Sequence, residues 1–192
     1  MGSRTVACLE TVAVADYIPF PLLARRDAWQ EKVEIPYIVH TLGIPLGQRI
    51  LEVGCGQANA LASLAALRAP RRIVGIDVDG ALLEGARRHL DARGARAELF
   101  EADVRSMPFP DGAFDVVLDF GTCYHIADPE RALLEIDRVL APGGRLVHET
   151  PLGQLFAHPI RSLRRFLPWS VVPGLVPRGQ ALLFASRIKE PS

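Results

Sequence analysis

Short apolar runs alternate with longer amphipathic segments from about residue 49 to residue 150. The runs RILEV, RIVGID, AELFEAD, FDVVLDF and RLVHET are each bounded by charge or turn residues, as buried strands are. Between them NALASLAALRA, GALLEGARRHLDARG and DPERALLEIDRVL repeat apolar positions at helical spacing. Alternation of this kind predicts βαβ units around a mostly parallel central sheet with helices on both faces, an α/β fold. The third helix is the best delimited. Asp128 is placed to cap it, Pro129 suits its first turn, and Gly143 and Gly144 let the chain leave it. Leu133, Leu134, Ile136 and Leu140 are its expected sheet-packing face.

Outside this region, RRDAWQEKVEIPYIVHTLGI predicts a helix interrupted or restarted at Pro36. PIRSLRRFLPW predicts a short helix between Pro159 and Pro168, and QALLFASRIK a final strand. Neither an internal repeat nor a low-complexity linker is present. The expected organisation is one domain over 1–192, with a helical lid or cap at 1–48, a ligand-binding core at 49–150, and a C-terminal helix and final strands at 151–192.

Composition narrows the function classes. With 192 residues, 49% of them hydrophobic, the chain suits a single full core. Lys and Arg number 22 and Asp and Glu 22, so no global positive field exists to gather nucleic acid. Three cysteines, Cys8, Cys55 and Cys123, lack paired metal-ligand spacing; no metal is expected and a reducing, cytoplasmic setting is. The N-terminal stretch is a poor secretory signal, and no window approaches the roughly 20 apolar residues of a membrane span.

The chemistry concentrates where strands end. RILEVGCGQANALASL runs from a strand through Gly54 and Gly56 into a helix, bringing backbone N–H groups close to a ligand. A dinucleotide loop wants a third glycine, but Asn59 stands there, and Glu52, inside the turn two residues before the first glycine, would repel a pyrophosphate while suiting an ammonium group. Asp77 closes the second strand 21 residues after Gly56, where an acid accepts from both ribose hydroxyls; a solvated strand-end aspartate is the plain alternative. Asp103 closes the third. These acids converge on the edge where open α/β sheets bind ligands.

In ILEVGCGQA, VGIDVDGALLEGAR, EADVRSMPFPDGAFDVVLDF and DPERALLEIDRVLAPGGRLV the chain resembles the class I S-adenosylmethionine-dependent methyltransferases, in the branch that includes the ubiquinone and menaquinone biosynthesis enzymes. The resemblance runs from about Arg49 to Thr150 and implies a Rossmann-like fold with S-adenosyl-L-methionine as cofactor. It implies Glu52, Gly54 and Gly56 at the methionine end, Asp77 on the ribose with Val78 beside the adenine, and Asp103 and Val104 on the adenine ring. It also implies Asp119 and Phe120 beside the amino group and sulfonium. Ala58 departs from the pattern, which has a further glycine there.

For a methyl acceptor, DFGTCYHIADP offers His125 as a base or as a residue that orients the acceptor, and Tyr124 as a substrate contact. Cys123 reads as a small buried residue. Tyr17, with Phe20, Trp29 and Tyr37, is a candidate aromatic contact over the cofactor or simply packs on the core. Phe156, Ile160, Leu163 and Leu167 share a helical face away from Arg161, Arg164 and Arg165, a pattern that permits peripheral membrane contact or a plain docked surface helix. The leading expectation is transfer of a methyl group to a small-molecule acceptor. The alternatives are a non-catalytic S-adenosylmethionine-binding activator subunit and an NAD-dependent dehydrogenase. The acceptor atom and the oligomeric state are not encoded in any motif.

Overall fold

A computed structural model describes residues 24–157 and 167–191. The first helix, α1, runs without a break through Ala24–Trp29, Gln30–Glu34, Ile35–Tyr37 and Ile38–Gly43. The expected interruption at Pro36 does not occur. Two of the four segments are π-helical, and the Ile35 N–H reaches back five residues to the Gln30 carbonyl. This wider winding shifts the backbone around Lys32, the residue whose carbonyl a proline ring at position 36 would strike in a regular α-helix.

The core follows as β1 (Arg49–Val53), α2 (Asn59–Arg68), β2 (Arg72–Asp77), α3 (Gly80–Ala92), β3 (Glu98–Glu101), β4 (Phe114–Asp119), α4 (Thr122–His125), α5 (Pro129–Val139) and β5 (Leu140–Glu149). Then come α6 (Pro151–Ala157), a 3-10 turn at Trp169–Val171, β6 (Leu175–Gln180) and β7 (Phe184–Lys189). The seven strands are ordered β3-β2-β1-β4-β5-β7-β6, with β1 to β5 parallel and β7 antiparallel to both neighbours. The expected last strand is shorter than its sequence suggested, and its partner β6 is one of the final strands expected at 151–192 but not delimited there. Pro177 sits in β6, an edge strand, where a missing donor is tolerated, and exposed Leu182 lies in the hairpin connection.

Period-two alternation sends the two faces of the sheet into separate cores. Leu51, Val53, Val74, Ile76, Val117 and Leu146 pack under α5, while Ile50, Ile73, Val116, Leu118 and Val147 pack with α1, α2 and α3. On α5 the buried residues are Ala132, Leu133, Ile136 and Val139, with Leu140 buried just beyond, and Leu134 is 51% exposed. Two residues before Ile136, Leu134 lies about 200° round the helix from it, so it points outwards, contrary to expectation. Asp128 does cap α5, accepting from the Arg131 N–H at 3.1 Å. Asp128→Ala should therefore lower stability by about 1 kcal/mol in chemical denaturation, the usual loss for such a cap.

Among the described residues no helix is long and apolar enough to cross a membrane. Tyr17, Phe20, Cys8 and most of PIRSLRRFLPW lie outside the described residues.

Candidate functional site

Because β2 lies on one side of β1 and β4 on the other, the chain reverses direction across the sheet at β1, and a crevice opens at the carboxyl ends of these strands. The turn leaving β1 uses Gly54 at φ +65° and Gly56 at φ +51°. A side chain on Gly54 would also run into the Thr122 hydroxyl, which donates to the Val53 carbonyl at 3.0 Å. The Cys55 N–H donates to Ile76 O at 2.9 Å, and the Gly56 N–H to the Asp77 carboxylate at 2.9 Å. Asp77 also accepts from the Asp79 N–H at 3.0 Å, so one carboxylate ties the glycine turn to the end of β2. Ala58, where the resemblance expects glycine, is buried at φ +62°, a left-handed conformation that a Cβ disfavours.

The crevice is lined by Glu52, Gly54, Gly56, Asp77, Phe120 and His125 of the expected set. Arg26, Asp27 and Gln30 of α1 close it from outside, and Gln57, Asn59, Gly121 and Thr122 add to its wall. Those additions were missed in the sequence. Arg26 lies far along the chain from any motif, and Asn59 was weighed only as a failed glycine.

Other expected residues fall elsewhere. Asp119 is buried beneath the crevice, accepting from the N–H groups of Gly121 at 3.0 Å and Cys123 at 3.4 Å, and so shapes the start of α4. Asp103 loses hydration, yet the Arg105 guanidinium and N–H outweigh that loss and hold its carboxyl below the ordinary range. Val104 is buried, and Val78 is 47% exposed. Neither lines the crevice, nor do Asp103 and Tyr124. Tyr124 turns inwards, its hydroxyl donating to the Glu149 carbonyl at 3.1 Å. Cys123 is fully buried, and burial pushes its thiol up.

The electrostatics are unusual for so small a volume. Glu52 is 3% exposed and its Oε2 has no hydrogen-bond partner among the described residues. Burial pushes its carboxyl well above the carboxylate range, against the pull of Arg26, and neighbouring Asp77 adds to the rise. Burial raises Asp77 too, opposed by the Asp79 and Gly56 N–H groups. Two desolvated carboxylates facing one space call for a ligand with a cationic end and hydroxyl donors, and would reject a pyrophosphate.

His125 closes the far side. Its Nε2 lies 3.2 Å from Gln154 Oε1, and the Gln154 amide donates in turn to Glu149 Oε2. Arg26 donates to Glu149 Oε1 at 3.3 Å and to the Phe120 carbonyl at 3.4 Å. Since the Gln154 NH2 faces a carboxylate, its carbonyl faces the imidazole. The ring therefore donates from Nε2 to that carbonyl. Burial lowers the His125 pKa below its ordinary value, despite Gln154. Glu149 is pushed up to about 8 by burial, with Arg26 opposing the shift. Among the described residues no group of three or more His, Cys, Asp or Glu side chains could hold a metal ion.

Residues 51–148 match the family described as methyltransferase domain. The chain is 46% identical over 101 residues to a demethylmenaquinone methyltransferase of Thermus thermophilus, covering 52% of this chain and 46% of that protein. It is 32% identical over 156 residues to a probable S-adenosylmethionine-dependent methyltransferase of Mycolicibacterium smegmatis, covering 79% and 56% respectively. The chain thus spans about half the length of the curated relatives it matches. Among solved structures, an S-adenosylmethionine-dependent methyltransferase from Aquifex aeolicus superposes with a TM-score of 0.65 at 16% identity, over 84% of this chain and 93% of that one.

Proposed function

Since the chain belongs to the class I S-adenosylmethionine-dependent methyltransferase family, we propose that it transfers the methyl group of S-adenosylmethionine to a small organic acceptor. The observation that carries this reading is the buried Glu52 carboxylate oxygen, without a partner among the described residues, beside a glycine turn pinned to Asp77. An ammonium group satisfies that oxygen, and the remaining lone pairs of Asp77 suit two vicinal hydroxyls. Both belong to S-adenosylmethionine. Glu52, Gly54 and Gly56 would hold its amino-acid end, Asp77 its ribose, and Phe120 would border the sulfonium. Val78, Asp103 and Val104 extend the same sheet edge towards the adenine, and Asp119 holds the backbone on which Phe120 and Thr122 sit.

The cofactor, when bound, supplies an electrophilic methyl group on sulfur. What the protein adds is orientation and exclusion of water. Arg26, Asp27 and Gln30 of α1 line the crevice, and His125 on its wall is placed to orient a hydroxyl acceptor or to take its proton. A small acceptor is supported by the relative named for demethylmenaquinone, the absence of a nucleic-acid partner by the balanced charge, and a cytoplasmic setting by three cysteines without paired spacing.

An NAD-dependent dehydrogenase is the competing use of such a fold. Glu52 and Asp77 weigh against it, because a pyrophosphate needs donors where this chain places acids, and Asn59 stands where such a loop needs its third glycine. Thermal unfolding separates the two. S-adenosylhomocysteine at a hundred times its Kd should add about 2.7 kcal/mol of stability and raise Tm, whereas NAD at millimolar concentration should leave Tm unchanged. The opposite pattern overturns the proposal.

A further inference from the structure

The hydrogen bonds of His125 continue past the crevice into the protein. His125 and Arg26 line the crevice, whereas Gln154 and Glu149 are each 1% exposed and stand outside its lining. From His125 Nε2 the contacts pass to Gln154 Oε1 at 3.2 Å, from the Gln154 amide nitrogen to Glu149 Oε2, and from Glu149 Oε1 to Arg26 at 3.3 Å. The four side chains come from four elements, α4, α6, β5 and α1. Gly121 makes room for the middle of the row. Its φ is +105°, and a Cβ on it would run into the Gln154 amide and stand 3.0 Å from Glu149 Oε2.

The two ends of the row differ in chemistry. A guanidinium has donors alone, so Glu149 Oε1 accepts from Arg26 whatever the state of the carboxyl. Oε2 and the Gln154 amide can each take either role. With Glu149 a carboxylate, Oε2 accepts from the Gln154 NH2, and the amide carbonyl accepts from His125 Nε2–H. With Glu149 neutral, its proton sits on Oε2 and donates to the amide carbonyl. The amide then presents its NH2 to Nε2, and the ring hydrogen belongs on Nδ1. Glu149 takes its proton from solvent, while the ring exchanges one hydrogen for another and stays neutral, because burial holds its pKa below the ordinary value.

We propose that Glu149 is a positioning residue for His125: by gaining or losing a proton it sets, through Gln154, which imidazole nitrogen carries the hydrogen. Around Glu149 stand Arg26 and Glu34 of α1, Asp119 of β4 and Gln154 of α6, and the Tyr124 hydroxyl of α4 donates to its backbone carbonyl. Burial pushes the carboxyl up to about 8, Arg26 opposes the shift, and Glu34 and Asp119 add to it. Below that value Glu149 is neutral and above it charged, so the ring hydrogen moves from Nδ1 to Nε2 as pH rises. A cation in the adjoining crevice favours the carboxylate and extends the Nε2–H form to lower pH. In that form the other ring nitrogen is an acceptor, the role a base needs. This last consequence rests on the methyltransferase reading, whereas the tautomer does not.

Nitrogen NMR of the full, 15N-labelled chain reads the tautomer without turnover, because ring nitrogens with and without hydrogen resonate far apart. The His125 signals are those lost in His125→Gln. Between about pH 7 and about pH 9.5 the two signals of the native chain should change places, the tautomer ratio altering at least ~10-fold around a midpoint of about 8. In Glu149→Gln the new carbonyl stays towards Arg26 and the new NH2 faces Gln154, so the Nδ1–H form should persist throughout. Gln154→Met, which has neither donor nor carbonyl, should abolish the crossover. A merely structural role for Glu149 moves none of these signals. The native titration decides the matter even if neither variant folds. A tautomer that stays constant in the native chain, Nε2–H in a folded Glu149→Gln, or a crossover that survives in a folded Gln154→Met overturns the proposal. Each of these leaves the methyltransferase reading intact.

Discussion

Asp77→Ala should bind S-adenosylhomocysteine about 10- to 150-fold more weakly than the native chain in calorimetric titration, while its circular dichroism stays native. The magnitude corresponds to about 1.5–3 kcal/mol, the ordinary worth of hydrogen bonds to a charged acceptor. In the ligand-free chain the carboxylate accepts from Gly56 at 2.9 Å and Asp79 at 3.0 Å, one N–H on each oxygen, which leaves lone pairs for two hydroxyls. Its removal loosens the loop as well as the ribose contact, so Asp77→Asn is the control. It retains one acceptor oxygen and should fall between the native chain and Asp77→Ala. Unchanged affinity in a folded Asp77→Ala variant would refute the ribose assignment.

The second large effect is expected at His125. Once a panel of phenols, quinols, thiols and amines has supplied an acceptor, His125→Gln should lower turnover by ~10²-fold and leave the affinity for S-adenosylhomocysteine unchanged. Burial places the His125 pKa below 6.5, so the imidazole is neutral at pH 7 and able to take a proton. The sign follows directly. Native turnover should be full at neutral pH and fall as pH drops through that lowered pKa, whereas the variant should be flat over the same range. If instead the variant raises the acceptor's KM and keeps the native pH profile, His125 orients the acceptor and is not the base.

Burial, rather than any motif, sets this chemistry. His125, Glu149 and Glu52 have ordinary solution pKa values in an extended chain, and all three are displaced because the fold buries them away from water. Arg26, more than a hundred residues from Glu149 in sequence, is brought within 3.3 Å of it. No local pattern announces such a pairing, since neither residue has a spacing that demands the other.

The strands of the core, their order of use with α2, α3 and α5, the capping by Asp128 and the crevice-lining run Glu52, Gly54, Gly56 and Asp77 were legible in the sequence, because each depends on neighbours within a few residues. Apolar periodicity, turn glycines and strand-end acids are local signals, and the sheet edge that gathers them follows from right-handed βαβ connections alone. What the tertiary structure decided depends on contacts between distant segments. Pro36 is absorbed by a π-wound helix whose Ile35, Ile38 and Val39 are buried in the core shared with α2. Leu134 faces outwards because the phase of α5 is set by its neighbours, and Tyr124 turns into the core instead of the crevice. Asp119 supports a backbone where a ligand contact was expected, and Pro177 and Gly179 lie in an edge strand whose register on β7 shifts between them. In each case short-range propensity allowed more than one outcome, and packing against elements far along the chain chose between them.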